Sequence, residues 1–311
     1  MQAGEHPEPV EPETPSVADR FRGVGVALVT PMGPDGAVDE EALHHHAAFQ
    51  CEAGSDVLVP CGTTGESATL APAEHQRVVE VTVDASAGRR PIMAGAGGND
   101  TARVLELAHA SVEAGADALL SVSPAYNKPT PAGLLAHYSA IAEAVDVPVV
   151  LYNVPGRTAS NVPPEVVLEL AHIDNVIGVK EASGDLEQVM TLIDGRPEDF
   201  PVLSGDDSLT LPMLSVGADG VISVVANQAP RMFSDMVHAA LDGAWEDARA
   251  LHYRLLPLMR ANFLETNPIL VKAGLALMGR VRENYRLPLV GPRDETRAAV
   301  AEALREAGLL R

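Results

Sequence analysis

The sequence predicts a (β/α)8 barrel, an α/β TIM-barrel fold, followed by a helical C-terminal extension. Three observations carry that expectation. Eight short, β-branched runs lie between residues 23 and 227, the stretches between them have helical period, and no strand-like run follows Asn227. Short strands alternating with amphipathic segments mark βα units and a parallel sheet, and eight right-handed units close naturally on themselves. A doubly wound open sheet shares this local pattern and stands as the alternative, because closure has no local signature.

In chain order the runs are GVGVALVT (23–30), DVLVP (56–60), PIMAGAG (91–97), ALLSVSP (118–124), PVVLYNV (148–154), VIGVKEAS (176–183), PVLSGDD (201–207) and GVISVVAN (220–227). The connecting segments include DEEALHHHAAFQCEAG (39–54) and TARVLELAHASVEAGA (101–116). Each repeats apolar residues at i, i+3 and i+4 and ends near a glycine able to turn left-handed. Helical patterns continue over 230–242, 244–261, 267–280 and 293–309. The expected organisation is an acidic, Pro- and Glu-rich disordered tail over 1–19, a catalytic barrel over 20–243 and a helical domain over 244–311. That last domain reads as a packing or oligomerisation layer rather than a catalytic one.

The chain has 311 residues, 46% of them hydrophobic, enough for a large core, and carries 43 acidic against 22 basic side chains for a net charge of −21. Such a charge disfavours nucleic acid and anionic membranes as partners. Two cysteines, Cys51 and Cys61, make no disulfide framework and no zinc-type spacing. The start lacks a basic, apolar leader and no apolar run reaches membrane-spanning length, so a soluble cytoplasmic protein is expected. Only three lysines, Lys128, Lys180 and Lys272, accompany 19 arginines. Adaptation to high salt and a codon bias toward Ala, Arg and Gly explain that balance equally well.

In barrels of this kind the reactive groups sit at the C-terminal ends of the strands. Lys180 ends the sixth run, and strict alternation puts it on one face with Val176 and Gly178, opposite Ile177 and Val179. If that face is the interior, the amine is desolvated and available to attack a carbonyl and form a Schiff base. Pairing with Glu181, or snorkelling to solvent, is the alternative. Lys128 lies beside Pro129 on a loop and Lys272 among the C-terminal helices, which makes both poorer nucleophiles.

Tyr152 ends the neighbouring strand and can move a proton if its hydroxyl is relayed onward, for example through Thr63 and Tyr126; packing at the barrel rim is the competing role for both tyrosines. The turn Gly62-Thr63-Thr64-Gly65 offers N–H groups and two hydroxyls ahead of a helix starting near Ala73, which suits a small carboxylate, or it is a plain glycine turn. Arg157 can hold a second carboxylate bidentately or form a surface ion pair.

Other features point away from function. The segment GAGGND (95–100) fails the dinucleotide fingerprint. His44, His45 and His46 are consecutive, fan around a helix and read as a solvated face. Asp206-Asp207-Ser208 reads as a cap for the helix that follows. No histidine falls at a strand end, which disfavours serine-hydrolase and metal-hydrolase chemistry.

At these residues the chain resembles the dihydrodipicolinate synthase / N-acetylneuraminate lyase family of class I, Schiff-base aldolases. The strings GTTGES (62–67), YNKP (126–129), LYNVPGRT (151–158), GVKEASG (178–184), LSGDD (203–207), GVISV (220–224), ETNP (265–268) and RLPL (286–289) carry the resemblance, in order, over about Gly23 to Leu309. They match the synthase branch. The resemblance implies that Lys180 forms an imine with pyruvate, that Tyr152 donates and accepts the proton, and that Thr63 and Tyr126 complete the relay, Tyr126 coming from the neighbouring subunit of a tight dimer. Thr64, the main chain at Ile222, and Gly205 would bind substrate, with Arg157 meeting the carboxylate of L-aspartate 4-semialdehyde. Condensation would serve lysine and diaminopimelate biosynthesis, with no metal and no organic cofactor, in a homotetramer built as a dimer of dimers.

Arg157 separates this branch from the sialate lyases, which lack an arginine in that motif. In members inhibited by lysine, the regulatory cleft uses a tyrosine, histidines and a glutamate at positions that here read Ala125, Pro72 and Arg103, while Ser67, His75 and Asn99 persist. Weak or absent inhibition by lysine is expected. Two other functions fit the same residues: another pyruvate-dependent aldolase, acting on a 2-keto-3-deoxy sugar acid, a sialate or a hydroxy-oxoglutarate, and a non-catalytic sensor of pyruvate.

Overall fold

The computed structural model describes residues 16–310. After a 3-10 turn at Ala18–Phe21, the chain runs through β1 (Gly23–Ala27), α1 (Glu40–Ala53), β2 (Val57–Val59), α2 (Pro72–Ser86), β3 (Met93–Gly95), α3 (Thr101–Glu113), β4 (Ala118–Val122) and α4 (Pro131–Ala144). The second half holds β5 (Val149–Asn153), α5 (Pro155–Thr158), α6 (Pro164–Leu170), β6 (Val176–Glu181), α7 (Leu186–Gly195), β7 (Val202–Ser204), α8 (Thr210–Ser215) and β8 (Gly220–Ser223). Four further helices follow: α9 (Pro230–Leu241), α10 (Trp245–Ala261), α11 (Ile269–Leu277) and α12 (Asp294–Ala307). Each strand lies inside one of the eight predicted runs; the C-terminal remainder of each run becomes the loop that carries chemistry.

All strand pairs are parallel, in the order β2-β1-β8-β7-β6-β5-β4-β3. The ends of that order meet through a bridge between Leu58 and Ile92, with Leu58 N–H donating to Pro91 O at 3.0 Å and Gly95 N–H to Pro60 O at 2.9 Å. The sheet is therefore a nearly closed barrel, and the open-sheet alternative is excluded. Close approach of neighbouring chain explains two glycines here: a Cβ on Gly95 would stand 2.2 Å from Cys61 O across this seam, and one on Gly97 2.5 Å from Val122 N of β4. Gly95 and Gly97 are required by this packing.

Alternate strand residues divide the core into two layers. Ala27, Val59, Leu120, Val150, Tyr152 and Leu203 point inward, with Phe21 closing the N-terminal end. Val24, Val26, Leu58, Leu119, Leu151 and Val202 point outward against the helices. Of the predicted tail, residues 1–15 lie outside the described residues; Ala18 and Asp19 stand in the 3-10 turn, Ala18 buried.

Four expectations are corrected by tertiary contacts. The β5–β6 register shifts between Val149 and Val150, so Val176 faces the helices and Ile177 the interior, the reverse of strict alternation. The irregularity restores the phase before Val179, and Lys180 still points inward. His46 is no part of a solvated face: it is 2% exposed, and its Nε2 lies 3.0 Å from Asn227 Oδ1, whereas His44 and His45 are exposed. Asp206 and Asp207 do not cap the next helix with their side chains. Asp207 is buried and accepts from the N–H groups of Val224 and Val225 instead, which ties β7 to β8. Lastly, α10–α12 do more than pack, because the segment between α10 and α11 reaches the mouth of the barrel, where it lines the site.

Candidate active site

At the C-terminal end of the barrel a cavity of about 150 Å³ opens among the ends of β2, β5, β6 and β7. Lys180 Nζ stands in it, 6% exposed and 4.1 Å from the centroid of the Tyr152 ring. The two residues are register partners across β5 and β6, so the sheet itself sets their separation. Glu181 turns to the other face, where it accepts from Asn153 Nδ2 at 3.0 Å, Gln188 Nε2 at 3.0 Å and the N–H of Ser183 at 2.6 Å. Neither an ion pair with Glu181 nor a snorkelling amine fits this arrangement.

The other lysines are accounted for differently. Lys272 Nζ is bonded to Glu66 Oε1 at 2.6 Å, both side chains fully enclosed, and Lys128 is exposed on its loop. Among the described residues, Lys180 alone combines a buried amine with the absence of a carboxylate in salt-bridge contact.

Room for the Lys180 chain depends on Gly205. A Cβ there would lie 2.6 Å from Ala182 Cβ and 3.1 Å from Lys180 Cε. Asp206, next in the chain, lines the same cavity; burial raises its carboxyl above the usual range while the charge of Lys180 pulls it down.

The Thr63–Gly65 turn forms the β2 side of the cavity. Gly65 and Glu66 N–H groups bond within the turn, to Gly62 O and Thr63 O, and both threonines border the cavity. Thr64 Oγ1 accepts from Asn267 Nδ2 at 2.9 Å, which leaves its own hydroxyl proton free to donate toward the cavity. Arg157, on α5, lines the mouth, with Nη2 3.5 Å from Asn267 O. It forms no salt bridge with the described residues, so the surface-ion-pair alternative does not hold.

Lys180, Tyr152, Thr63, Thr64, Arg157 and Gly205 are thus brought together. Two predicted residues are not. Tyr126 is 88% exposed, held with φ +71° outside the cavity, and Ile222 is buried in the barrel interior without lining it. Asp206, Phe263 and Asn267 are among the lining residues that escaped prediction. Asn267 sits in the ETNP string, the one available signal, but nothing local says that this string returns to the second strand.

The chemistry available is that of a buried amine beside a phenol, with hydroxyl donors on one side and a guanidinium at the mouth. Such an amine can add to a carbonyl, and the groups around it can bind anionic substrate ends. Among the described residues no group of three or more His, Cys, Asp or Glu is placed to hold a metal ion, and no helix is long and apolar enough to cross a membrane.

Known proteins are similar to the chain in sequence and in fold. A 4-hydroxy-tetrahydrodipicolinate synthase of Koribacter versatilis is 54% identical over 293 residues, spanning 94% of this chain and 98% of its own length. One from Methanosarcina mazei is 48% identical over 291 residues, 93% of this chain and 99% of its own. Among solved structures, the chloride-inhibited dihydrodipicolinate synthase of Acinetobacter baumannii, complexed with pyruvate, superposes with a TM-score of 0.91 at 41% identity, covering 93% of this chain and 99% of that one. The profile of the dihydrodipicolinate synthetase family matches residues 20–307, and the chain belongs to that family.

Proposed function

We propose that the chain condenses pyruvate with L-aspartate 4-semialdehyde to give 4-hydroxy-tetrahydrodipicolinate, the activity for which its relatives are named and a step toward diaminopimelate and lysine. The observation that carries this reading is the buried amine of Lys180, held in no salt bridge among the described residues, against the Tyr152 ring, in a cavity with a guanidinium at its mouth.

The Lys180 amine adds to the C2 carbonyl of pyruvate and water leaves, forming the imine. Loss of a methyl proton gives the enamine, whose carbon attacks the aldehyde, and the aldehyde oxygen takes up a proton. The amino group of the semialdehyde then displaces Lys180, closing the ring and returning the free amine. Tyr152 moves these protons, with Thr63 and Tyr126 as its relay. Thr64 holds the pyruvate carboxylate, Gly205 clears space for substrate, and Arg157 binds the carboxylate of the semialdehyde. The exposure of Tyr126 supports its delivery to a second subunit, in a homotetramer assembled as a dimer of dimers. Both substrates are small molecules, and the two buried free cysteines accord with a cytoplasmic setting.

Condensation is tested by coupling to a dihydrodipicolinate reductase and following NADPH loss, with Lys180→Ala as control. Turnover that vanishes in the variant is the expected result. Absence of turnover, with pyruvate still trapped on Lys180 by borohydride, transfers the chain to an aldolase of sugar-derived or hydroxy-oxoglutarate substrates.

A further inference from the structure

Glu66 and Lys272 form an ion pair whose side chains are 1% and 0% exposed, with Oε1 and Nζ 2.6 Å apart. Lys272 Nζ also donates to Thr30 O at 3.1 Å and lies 5.2 Å from the Tyr285 ring centroid. Glu66 is the residue that ends the Thr63–Gly65 turn, and it does so at φ +55°, a left-handed conformation that a non-glycine residue keeps only where its surroundings impose it. Its second oxygen accepts from the N–H of Arg286 at 3.3 Å. Below the turn, Thr30 Oγ1 donates to Gly65 O at 2.7 Å.

Two contacts therefore join the segment around α11 to this turn. Asn267, just before α11, holds Thr64, and Lys272, within α11, holds Glu66. Between those two anchors Gly65 is pinned to Thr30, and Thr63, just ahead of them, lines the cavity. Burial of both charges gives little net stability, because desolvation offsets most of the attraction, so a fully enclosed pair is a poor way to hold a fold together. Its directional, short contact is a good way to fix one conformation of a short turn.

We propose that Lys272 and Glu66 are positioning residues, through which α11 sets the geometry of the Thr63–Thr64 turn at the pyruvate end of the site. The proposal rests on the condensation reading above. It assigns the C-terminal helices a kinetic role exerted through the turn, with no contact between Lys272 and substrate.

The test compares the whole protein with Lys272→Met, Glu66→Gln and the double variant, in which no buried charge is left unpaired. Melting temperature, kcat, KM for each substrate and the pyruvate concentration for half-maximal borohydride trapping are read for each. The double variant is expected to melt within a few degrees of the parent while half-saturation by pyruvate rises about tenfold or more, kcat falls by a similar factor and KM for the semialdehyde stays within twofold. Glu66→Gln, which keeps the shape and one hydrogen bond to Lys272 but leaves that amine without its carboxylate, is expected to melt below both and to lie between parent and double variant in its kinetic constants. A double variant with parental kinetic constants overturns the proposal, as does a loss confined to melting temperature. If the methionine variants do not fold, Glu66→Gln decides on the same constants. Failure of the parent to use the semialdehyde overturns only the condensation reading, because borohydride trapping with pyruvate still reports the turn.

Discussion

Lys180 and Tyr152 face each other as register partners on adjacent parallel strands, the amine 4.1 Å from the centre of the phenol ring. Their spacing is set by backbone pairing, so neither side chain needs a loop to find the other. Lys180→Ala should abolish pyruvate trapping by borohydride, whereas Tyr152→Phe should keep trapping and lower kcat on the order of 10²–10⁴-fold, the usual worth of a proton-transfer group. Mass spectrometry of the reduced adduct together with steady-state rates distinguishes the two; trapping that persists in Lys180→Ala would remove the assigned nucleophile.

Gly205 is the position where one methyl group matters most. Because its Cβ would meet Ala182 at 2.6 Å and the Lys180 side chain at 3.1 Å, Gly205→Ala should displace the amine and slow imine formation at least about tenfold, at an overpacking cost of about 1–3 kcal/mol. Stopped trapping at short times gives the rate. An unchanged rate would mean that Ala182 and Lys180 move aside freely.

Substitution of Arg157, at the cavity mouth, tests the choice of aldehyde. Arg157→Ala removes a charged donor from the cavity mouth and should raise KM for aspartate semialdehyde roughly 10- to 100-fold while half-saturation of trapping by pyruvate stays put. Should turnover be indifferent to this substitution, a substrate without a distal carboxylate becomes the better assignment.

A fourth prediction concerns pH. The Asn227 amide nitrogen donates to Ala27 O and Val224 O, so its Oδ1 faces His46 as an acceptor and the imidazole must donate from Nε2. Its Nδ1 is buried without a partner, and burial lowers the pKa from 6.5 to about 4. The unfolded chain therefore binds more protons than the folded one between those values. The stability that His46 contributes is whole above about pH 6.5 and is lost as pH falls toward 4, on the order of 3 kcal/mol across the window. Denaturant titrations of the parent and His46→Gln should show their stability gap narrowing by that amount over the same range. A constant gap would rule the linkage out.

Inhibition by lysine should be weak or absent. By the resemblance, Ala125, Pro72 and Arg103 fall where inhibited members would carry a tyrosine, a histidine and a glutamate. His75, although retained, is buried with its Nε2 2.8 Å from Gly95 O. Assays across the millimolar range check this, and a tenfold loss of activity there would contradict it.

Much of the molecule is legible in the chain alone. The eight strand runs and four C-terminal helices follow from periodicity, because burial on one face must repeat with the period of the element that buries it. Lys180 stood out because lysines are scarce and only one ends a strand. The errors share a cause. His46, Asp207 and Asn267 were misread or missed because each takes its meaning from a partner far along the chain: His46 from Asn227, Asp207 from Val224 and Val225, and Asn267 from Thr64. Val176 and Ile177 exchanged faces because a register shift belongs to a pair of strands and leaves no mark on either one.

The sequence by itself determined the kind and order of the elements, the residue types at the strand ends and the family. Closure of the barrel was decided only by the seam at Leu58 and Ile92, and the shape of the site by contacts such as Asn267 to Thr64 and Lys272 to Glu66, 203 and 206 residues apart. Local propensity acts over a few residues, whereas these contacts depend on the burial and hydrogen bonding of groups that meet only after the whole chain has folded.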